Sequence, residues 1–425
     1  MHLPSQLSCL WKEPKAQKSY RSAVSLHGHT NHSKEGLDFI ARYAYRRPIL
    51  QAALAVQAKR SQAIKVDLHR AYWTPPMPPL AAYRLERDQI ERVLNLKAMV
   101  SLTDHDSIEA PMLLKVLPET QDIPVSFEWS LPYKDTAVHL GIHNLPTGQA
   151  ARIAAALANY SRTPVEQRIP DLLKSLHSMQ DVLVVLNHPM WDLAGIGRQR
   201  HLYRLHEFVG RLGLYIHAFE MSGLRSWEEN QSVLDFAAGW DQVVVGGGDR
   251  HGTEPSAVVN LTHAEGFSDF VHEVRAKKRS HVLFMPQYCE SLTLRLLQSL
   301  LDVIRHYPDY PEGCRRWDER VFHPDRDGVL RSVASLWTKP PEFITAFFAV
   351  VGLLEASPVR KFMQATLTRP QQQMRFTAGK SREVDSLWSG FHGSRISQTH
   401  TKKLTGWRTP AGNLKRSPKN ADSPY

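Results

Sequence analysis

Five short segments within the first 251 residues carry imidazole and carboxylate side chains: His27-Gly28-His29, Thr103-Asp104-His105-Asp106, Phe127-Glu128, Asn187-His188-Pro189 and Gly248-Asp249-Arg250-His251. Imidazole with carboxylate suits Zn, Fe and Mn alike, and this many such groups suit a polynuclear site for metal-assisted hydrolysis. His27 and His29 stand at i and i+2, so in an extended chain both rings point to one side and can reach one ion. His105 is flanked by two carboxylates, and a metal-bound imidazole commonly donates its second N–H to such a group. Asp104 or Asp106 can serve, although Asp106 also fits as the cap of a helix that follows it. Glu128 closes the run Ile123-Pro124-Val125-Ser126-Phe127, where a carboxylate can bridge two ions. His139 and His143 share a strand face; His139 is the preferred ligand and His143 the core or surface residue. His188 follows a five-residue apolar run. Asp249 and His251 share a face after three glycines, which let the backbone approach ions or phosphate closely.

These groups need strands to hold them. Apolar runs precede most of them: Ala23 to Leu26, Met99 to Leu102, Val182 to Leu186 and Val243 to Val245. Strand interiors bury such residues, so ligands repeated at strand ends converge on one mouth, as in barrel enzymes. The pattern predicts seven strands, around 23–27, 98–103, 123–128, 136–142, 182–187, 214–220 and 242–247. Helical patterns lie between several of them, at 150–159, 172–178 and 230–238. Strands alternating with helices indicate an α/β fold of parallel βα units.

Outside that pattern the chain divides further. Residues 1–22 read as an N-terminal extension, basic but without an apolar core of signal-peptide length. Residues 38–97 form an insertion about twice as long as one crossover helix needs. It holds a basic helical piece and the stiff run Tyr72-Trp73-Thr74-Pro75-Pro76-Met77-Pro78-Pro79, and reads as a lid or as a surface excursion. Residues 286–370 read as an α-helical C-terminal region, with Leu296, Leu297, Leu300, Leu301 and Ile304 on one helix face. A second, apolar helix is expected over 342–356; its apolar stretch is well short of the roughly 20 residues a bilayer helix needs.

From 371 to 425 there are ten Lys/Arg against three Asp/Glu, a composition that predicts a disordered basic tail. The tail therefore holds most of the formal net charge of +11, and the first 370 residues carry no nucleic-acid signature. Cys9, Cys289 and Cys314 are odd in number and far apart. They support neither a disulfide framework nor a cysteine zinc site, and a reducing, cytoplasmic setting is the simple reading. No membrane partner is expected, and the oligomeric state is open.

The ordered set HGHT, TDHD, a strand-end Glu, VHLG, NHP and GDRH resembles the PHP (polymerase and histidinol phosphatase) family over about residues 22–285. The resemblance implies a distorted seven-stranded (β/α) barrel, placed at 23–285. Its site would hold two to three divalent ions (Zn, Mn or Fe) and hydrolyse phosphate mono- or diesters. It further implies that His27, His29, Glu128 and Asp249 surround one ion, and that Glu128 bridges to a second held by His139 and His188. His105 and His251 would hold a third. The remaining ligand of that ion falls in Thr30-Asn31-His32-Ser33-Lys34-Glu35-Gly36. Ungapped alignment puts Lys34 there; one extra residue brings in Glu35, which is the choice, with His32 as the other candidate.

Asp104 and Arg250 are the catalytic candidates beyond the ligands, although alternation along the strand end would turn Arg250 away from the ions. Lys34, Lys134, Arg198 and Arg225 are further cations able to clamp phosphate. The expected substrate is a phosphorylated small molecule or nucleotide, with nucleic acid as a partner through the basic tail. Glu220 reads as a buried, hydrogen-bonded carboxylate or a substrate contact, His217 as a core histidine, and Asp325-Arg326-Asp327-Gly328 as a turn rather than a calcium loop. No Walker loop, GxGxxG, GxSxG or Cys–His pair is present. Two other classes fit less of the sequence. A non-catalytic binding module is favoured by Lys34 alone, and a nucleic-acid scaffold by tail charge alone, which would bind with steep salt dependence.

Overall fold

Every residue of Leu183-Val184-Val185-Leu186-Asn187 is buried in a single strand. Val184 and Leu186 pack with Phe219, Val244 and Phe284. Leu183 and Val185 pack on the other side with Val24, Val243 and Val245. Burial on both faces is what an uninterrupted apolar run in a strand requires. The computed structural model describes residues 5–37, 67, 69–337 and 358, and this strand lies at the middle of one of its sheets.

In chain order the strands are β1 (Ser5–Cys9), β2 (Ser22–Ser25), β3 (Glu35–Gly36), β4 (Tyr72–Trp73), β5 (Lys97–Val100), β6 (Val125–Tyr133) and β7 (Thr136–Leu145). Then follow β8 (Leu183–Asn187), β9 (Ala218–Ser222), β10 (Val243–Gly247), β11 (Val258–Thr262), β12 (Ser280–Phe284), β13 (Val321–Pro324) and β14 (Leu330–Ser332). One five-stranded sheet runs β1-β12-β11-β2-β5 and another β10-β9-β8-β7-β6; a four-stranded sheet runs β14-β13-β4-β3. In the second, β6, β7 and β8 are antiparallel neighbours while β8, β9 and β10 are parallel.

The main helices are α1 (Pro79–Gln89), α2 (Glu109–Leu114), α3 (Thr147–Arg162), α4 (Ile169–Ser178), α5 (Arg198–Leu212), α6 (Trp227–Gly239), α7 (Phe267–Arg275) and α8 (Leu292–Ile304). Helix α7 buries Phe267, Phe270, Val271 and Val274. That i, i+3, i+4, i+7 spacing is the apolar stripe of a helix lying on a sheet. The Ser226 hydroxyl caps α6 by accepting the Glu229 N–H, and Ser291 caps α8 by accepting that of Leu294.

The fold is mixed α/β, and each of the seven expected segments contains a strand: β2 and β5 to β10. Several boundaries differ: β2 stops at Ser25, and β6 and β7 run on to Tyr133 and Leu145. β5 stops at Val100, and β9 begins only at Ala218 because Gly213–Tyr215 form a 3-10 turn. The expected closed barrel is not seen as such: among the described residues no continuous ladder closes the seven strands. Two isolated parallel bridges join the two large sheets: Gly28 to Arg250, beyond both strand ends, and His105 to Glu128, from beyond β5 to a residue within β6.

The C-terminal region departs further from expectation. It carries the strands β13 and β14, so it is not wholly helical. Helix α8 buries Leu294, Arg295, Gln298, Leu301 and Asp302, while Leu296 and Leu300 are 42% and 37% exposed. Its inward face is therefore largely polar. The expected helix over 342–356, the tail from 371 and residues 38–66 of the insertion lie outside the described residues. Among described residues, no helix is long and apolar enough to cross a membrane.

Candidate metal centre

Beyond β2, β8 and β10 the chain turns at His27 (φ 63°), His188 (φ 27°) and Asp249 (φ 49°). A left-handed backbone costs a non-glycine residue on the order of 1 kcal/mol or more, and such strain gathers where side chains must be aimed. Backbone hydrogen bonds fasten the turns together. Gly248 N–H donates to Leu26 O (2.8 Å), His29 N–H to Arg250 O (2.9 Å), Thr103 N–H to Gly28 O (2.9 Å) and Glu128 N–H to Asp104 O (3.1 Å).

Glu128 is fully buried at the centre. Its Oε2 lies 3.2 Å from His27 Nε2, 3.3 Å from His105 Nε2 and 3.6 Å from His29 Nε2. Its Oε1 lies 3.2 Å from both His139 Nδ1 and His188 Nε2, and accepts a hydrogen bond from Asn187 Nδ2 (2.9 Å). Each oxygen thus has its own set of imidazoles. Burial alone would raise the pKa of this carboxyl, but His27, His139 and His105 hold it well below the usual carboxylate range.

Glu35 occupies a neighbouring position. Its Oε2 is 3.1 Å from His105 Nε2 and 3.3 Å from His251 Nε2, and its Oε1 is 3.6 Å from His29 Nδ1. Ser33 Oγ donates to Glu35 Oε1 (2.6 Å) and accepts the His105 backbone N–H (2.9 Å). Asp249 Oδ1 is 3.7 Å from His27 Nε2 and 3.8 Å from His29 Nε2. Both carboxyls are held well below their ordinary pKa: His105, His251 and His29 outweigh burial at Glu35, and His29, His27, His251 and Arg225 outweigh it at Asp249.

Donor atoms within 4.8 Å of one another form four overlapping groups: His29–Glu35–His105–His251, His27–His29–Asp249, His27–Glu128–His188 and His105–Glu128–His139. The donor chemistry fits divalent cations. His27 Nε2, His29 Nε2, Glu128 Oε2 and His139 Nδ1 are buried without a hydrogen-bond partner, although each faces other donor atoms of these groups. Cations held by these groups would satisfy the four atoms, whereas orphaned buried polar atoms are otherwise costly.

All nine residues expected as ligands (His27, His29, Glu35, His105, Glu128, His139, His188, Asp249 and His251) belong to these groups. His32 does not: its ring meets the exposed Glu109 (2.8 Å). His143 is likewise outside, with Nδ1 2.8 Å from Ser101 Oγ, and burial lowers its pKa to about 3. The two catalytic candidates, Asp104 and Arg250, lie outside these groups. Asp104 does not partner His105, because its oxygens are taken by the Thr30 N–H and hydroxyl (2.5 and 2.7 Å), and burial raises its pKa to about 6. Arg250 points away from the donors into a buried ion pair with Glu86 (2.9 Å), and donates to Gly252 O (2.8 Å) and His29 O (3.0 Å).

Glu220 is the second support that counts. Its Oε2 lies 2.9 Å from His27 Nδ1 and accepts the His188 N–H (3.1 Å). With Nδ1–H donated there, the Nε2 of His27 would be the atom left to bind a cation. Of the cations considered, Arg225 reaches the site. Its Nη2 is 3.3 Å from Asp249 Oδ2, and its guanidinium lies 3.9 Å from the Trp191 ring centroid. Lys134 instead pairs with Glu207, and Lys34 lies over Tyr72. Asp325 forms the expected turn, accepting the Asp327 and Val329 N–H groups. The roles of Ser33, Glu86 and Trp191 were not visible in the sequence, because each is defined by a partner distant along the chain or by a hydroxyl of ordinary type.

No family model matches the chain, and no curated protein does. Solved structures similar to it include the following two. One is a Bifidobacterium adolescentis protein described provisionally as a metal-dependent phosphoesterase (14% identity, 60% of this chain and 95% of that one, TM-score 0.30). The other is an amidohydrolase from Chromobacterium violaceum with bound sulfate and no metal (13% identity, 54% and 87%, TM-score 0.30). Neither likeness is close enough to carry a functional argument.

Proposed function

We propose that this chain is a metal-dependent phosphoesterase of the PHP type. The observation that carries the reading is Glu128, whose two oxygens face separate sets of imidazoles while Asp249 and Glu35 stand beside them. That arrangement supports two to three divalent ions with Glu128 shared. His27, His29 and Asp249 would hold one with Glu128; His139 and His188 would hold a second with it; Glu35, His105 and His251 would hold a third. Bound divalent ions supply Lewis-acid charge and water activation near neutral pH.

The chain's own groups prepare the site. The three carboxyls are held anionic, and Glu220 sets the tautomer of His27. Arg225 offers guanidinium N–H groups to phosphoryl oxygens beside Asp249, and its stack on Trp191 keeps the fork oriented. His105, His139 and His251 are partly exposed while His27, His29 and Glu128 are buried, so substrate approaches from the former side. The two isolated bridges support a ring β6-β7-β8-β9-β10-β2-β5 returning to β6, a distorted seven-stranded barrel.

The test is metal analysis of the purified chain with a panel of phosphate mono- and diesters, nucleotides included, in Mn²⁺. At least two ions per chain and ester cleavage lost in Asp249→Ala are expected. Fewer than two ions with no cleavage, or full activity in that variant, overturns the reading.

A further inference from the structure

The donor groups are not all built by the same part of the molecule. His27, His188 and Asp249 follow strands of the two large sheets, and Glu128 and His139 lie within them. Glu35 lies in β3, a two-residue edge strand whose only partner strand among the described residues is β4. In that pairing Glu35 stands opposite Trp73, and Trp73 in turn stands opposite Val321 of β13. Thr74 N–H donates to Arg320 O (2.8 Å), and the Tyr72 and Phe322 rings stack at 5.0 Å. The strand carrying Glu35 is thus held by a segment nearly 290 residues further along the chain.

The same C-terminal segment fastens the loop behind His251. Asp302, fully buried on α8, accepts the Thr253 N–H through Oδ2 (2.7 Å) and a hydrogen bond from Gln298 through Oδ1 (3.0 Å). Its approach is close enough that a Cβ on Gly252 would sit 2.5 Å from Asp302 Oδ2. Arg320, also buried, ties its own segment together by donating to Cys314 O (2.6 Å) and to the carbonyls of Val303 and Arg305. This explains why the inward face of α8 is polar: it bonds to loop backbone instead of packing on a sheet.

We infer that residues 302–322 position Glu35 and His251 within the Glu35–His105–His251 group, making it a separable metal position conditional on this segment. Asp302 and Phe322 are its positioning residues. The inference rests on reading the centre as a metal site. It concerns geometry held at a distance, since neither residue touches a donor atom. Groups bonded directly to metal ligands tune affinity by roughly 10- to 100-fold, and these supports one step further out are expected at the lower end of that range.

Mn²⁺ titration of the full chain, with bound ions counted by electron paramagnetic resonance, tests it. Glu35→Ala defines which class of site belongs to this group. Asp302→Ala and Phe322→Ala should weaken that same class by about tenfold or more, leaving the other classes within about twofold and the circular dichroism unchanged. Asp302→Asn should bind as wild type, because its carbonyl can accept the Thr253 N–H while Gln298 turns its amide. Wild-type binding of every class in both Asp302→Ala and Phe322→Ala, or loss of all classes together in Phe322→Ala, overturns the inference. If Asp302→Ala does not fold, Phe322→Ala decides alone. Absence of Mn²⁺ binding in the wild-type chain would instead overturn the metal-site reading itself.

Discussion

The strand-end groups and the Glu35 edge place similar side chains by opposite means. Around Glu128 the ligands lie in or just after mostly buried strands whose apolar residues stand in the same short segments as the ligands. Around Glu35 a two-residue strand depends on β4 and β13, drawn from two remote parts of the chain. Burial supplies the large sheets with most of their stability, whereas the small sheet is half-exposed and held by few contacts. One centre can therefore contain positions of unequal rigidity, and substitutions should separate them.

The largest separation is expected between the two carboxylates. Glu128→Ala removes the group facing five imidazoles, so metal content should collapse and kcat/KM should fall by about 10³-fold or more. Glu35→Ala should remove one ion alone. A Glu128→Ala protein keeping its full complement of metal would contradict the central place given to Glu128. Next comes stability: Phe219→Ala, at a fully buried site in the large sheet, should cost about 3–5 kcal/mol. Phe322→Ala on the small sheet should cost roughly 1 kcal/mol. Guanidinium melts of the two variants measure the difference, and equal losses would erase the contrast.

A smaller effect is expected at Arg225. Its alanine variant should lose about 10²-fold in kcat/KM with metal content unchanged, and lysine should recover little because it lacks the planar fork. Full recovery by lysine would reduce the residue to a point charge.

The smallest effect lies away from the centre. His217 Nδ1 accepts the Val184 N–H (2.9 Å) and its Nε2 faces His177 Nδ1 (3.0 Å), so the ring is held neutral. Burial, with Arg275, His177 and Lys278 nearby, lowers its pKa to about 2. The unfolded chain takes up a proton at this histidine below about pH 6.5 that the folded chain refuses, so stability falls as pH drops through that value. The loss is at most about 1.4 kcal/mol per pH unit. His217→Asn should flatten the decline in Tm between about pH 6 and pH 4.5; parallel profiles would exclude His217 as its source.

What the sequence made legible follows the same division. Val182 to Leu186 before His188, and Val243 to Val245 before Asp249, mark a strand and its ligand together within a few residues. Periodicity therefore located seven of the ten strands of the large sheets, leaving β1, β11 and β12 unread, and motif order located the ligands. Glu35 could be chosen only by allowing one extra residue, because its strand is too short to leave a pattern and its support comes from Val321 and Phe322. Helix α8 misled for a related reason. Leu296 and Leu300 suggested an apolar inner face, but Arg295 and Asp302 turn inward to bond loop carbonyls and an amide, and Gln298 turns inward to brace Asp302. Arg250 was read from its position between two ligands, whereas its direction is set by Glu86, on a helix with no visible tie to the motif.

The left-handed turns at His27, His188 and Asp249 set selection for abundance against selection for activity. Glycine, and to a lesser degree asparagine, suits that backbone better than histidine or aspartate does, with relief of up to about 1 kcal/mol at a site. Such replacements would also thin a crowded buried cluster of charge. A lineage released from the need for catalysis should then drift toward asparagine and glycine at these positions while its folded yield rises. In a library sorted once for soluble expression and once for ester cleavage, the same three codons should be enriched in opposite directions.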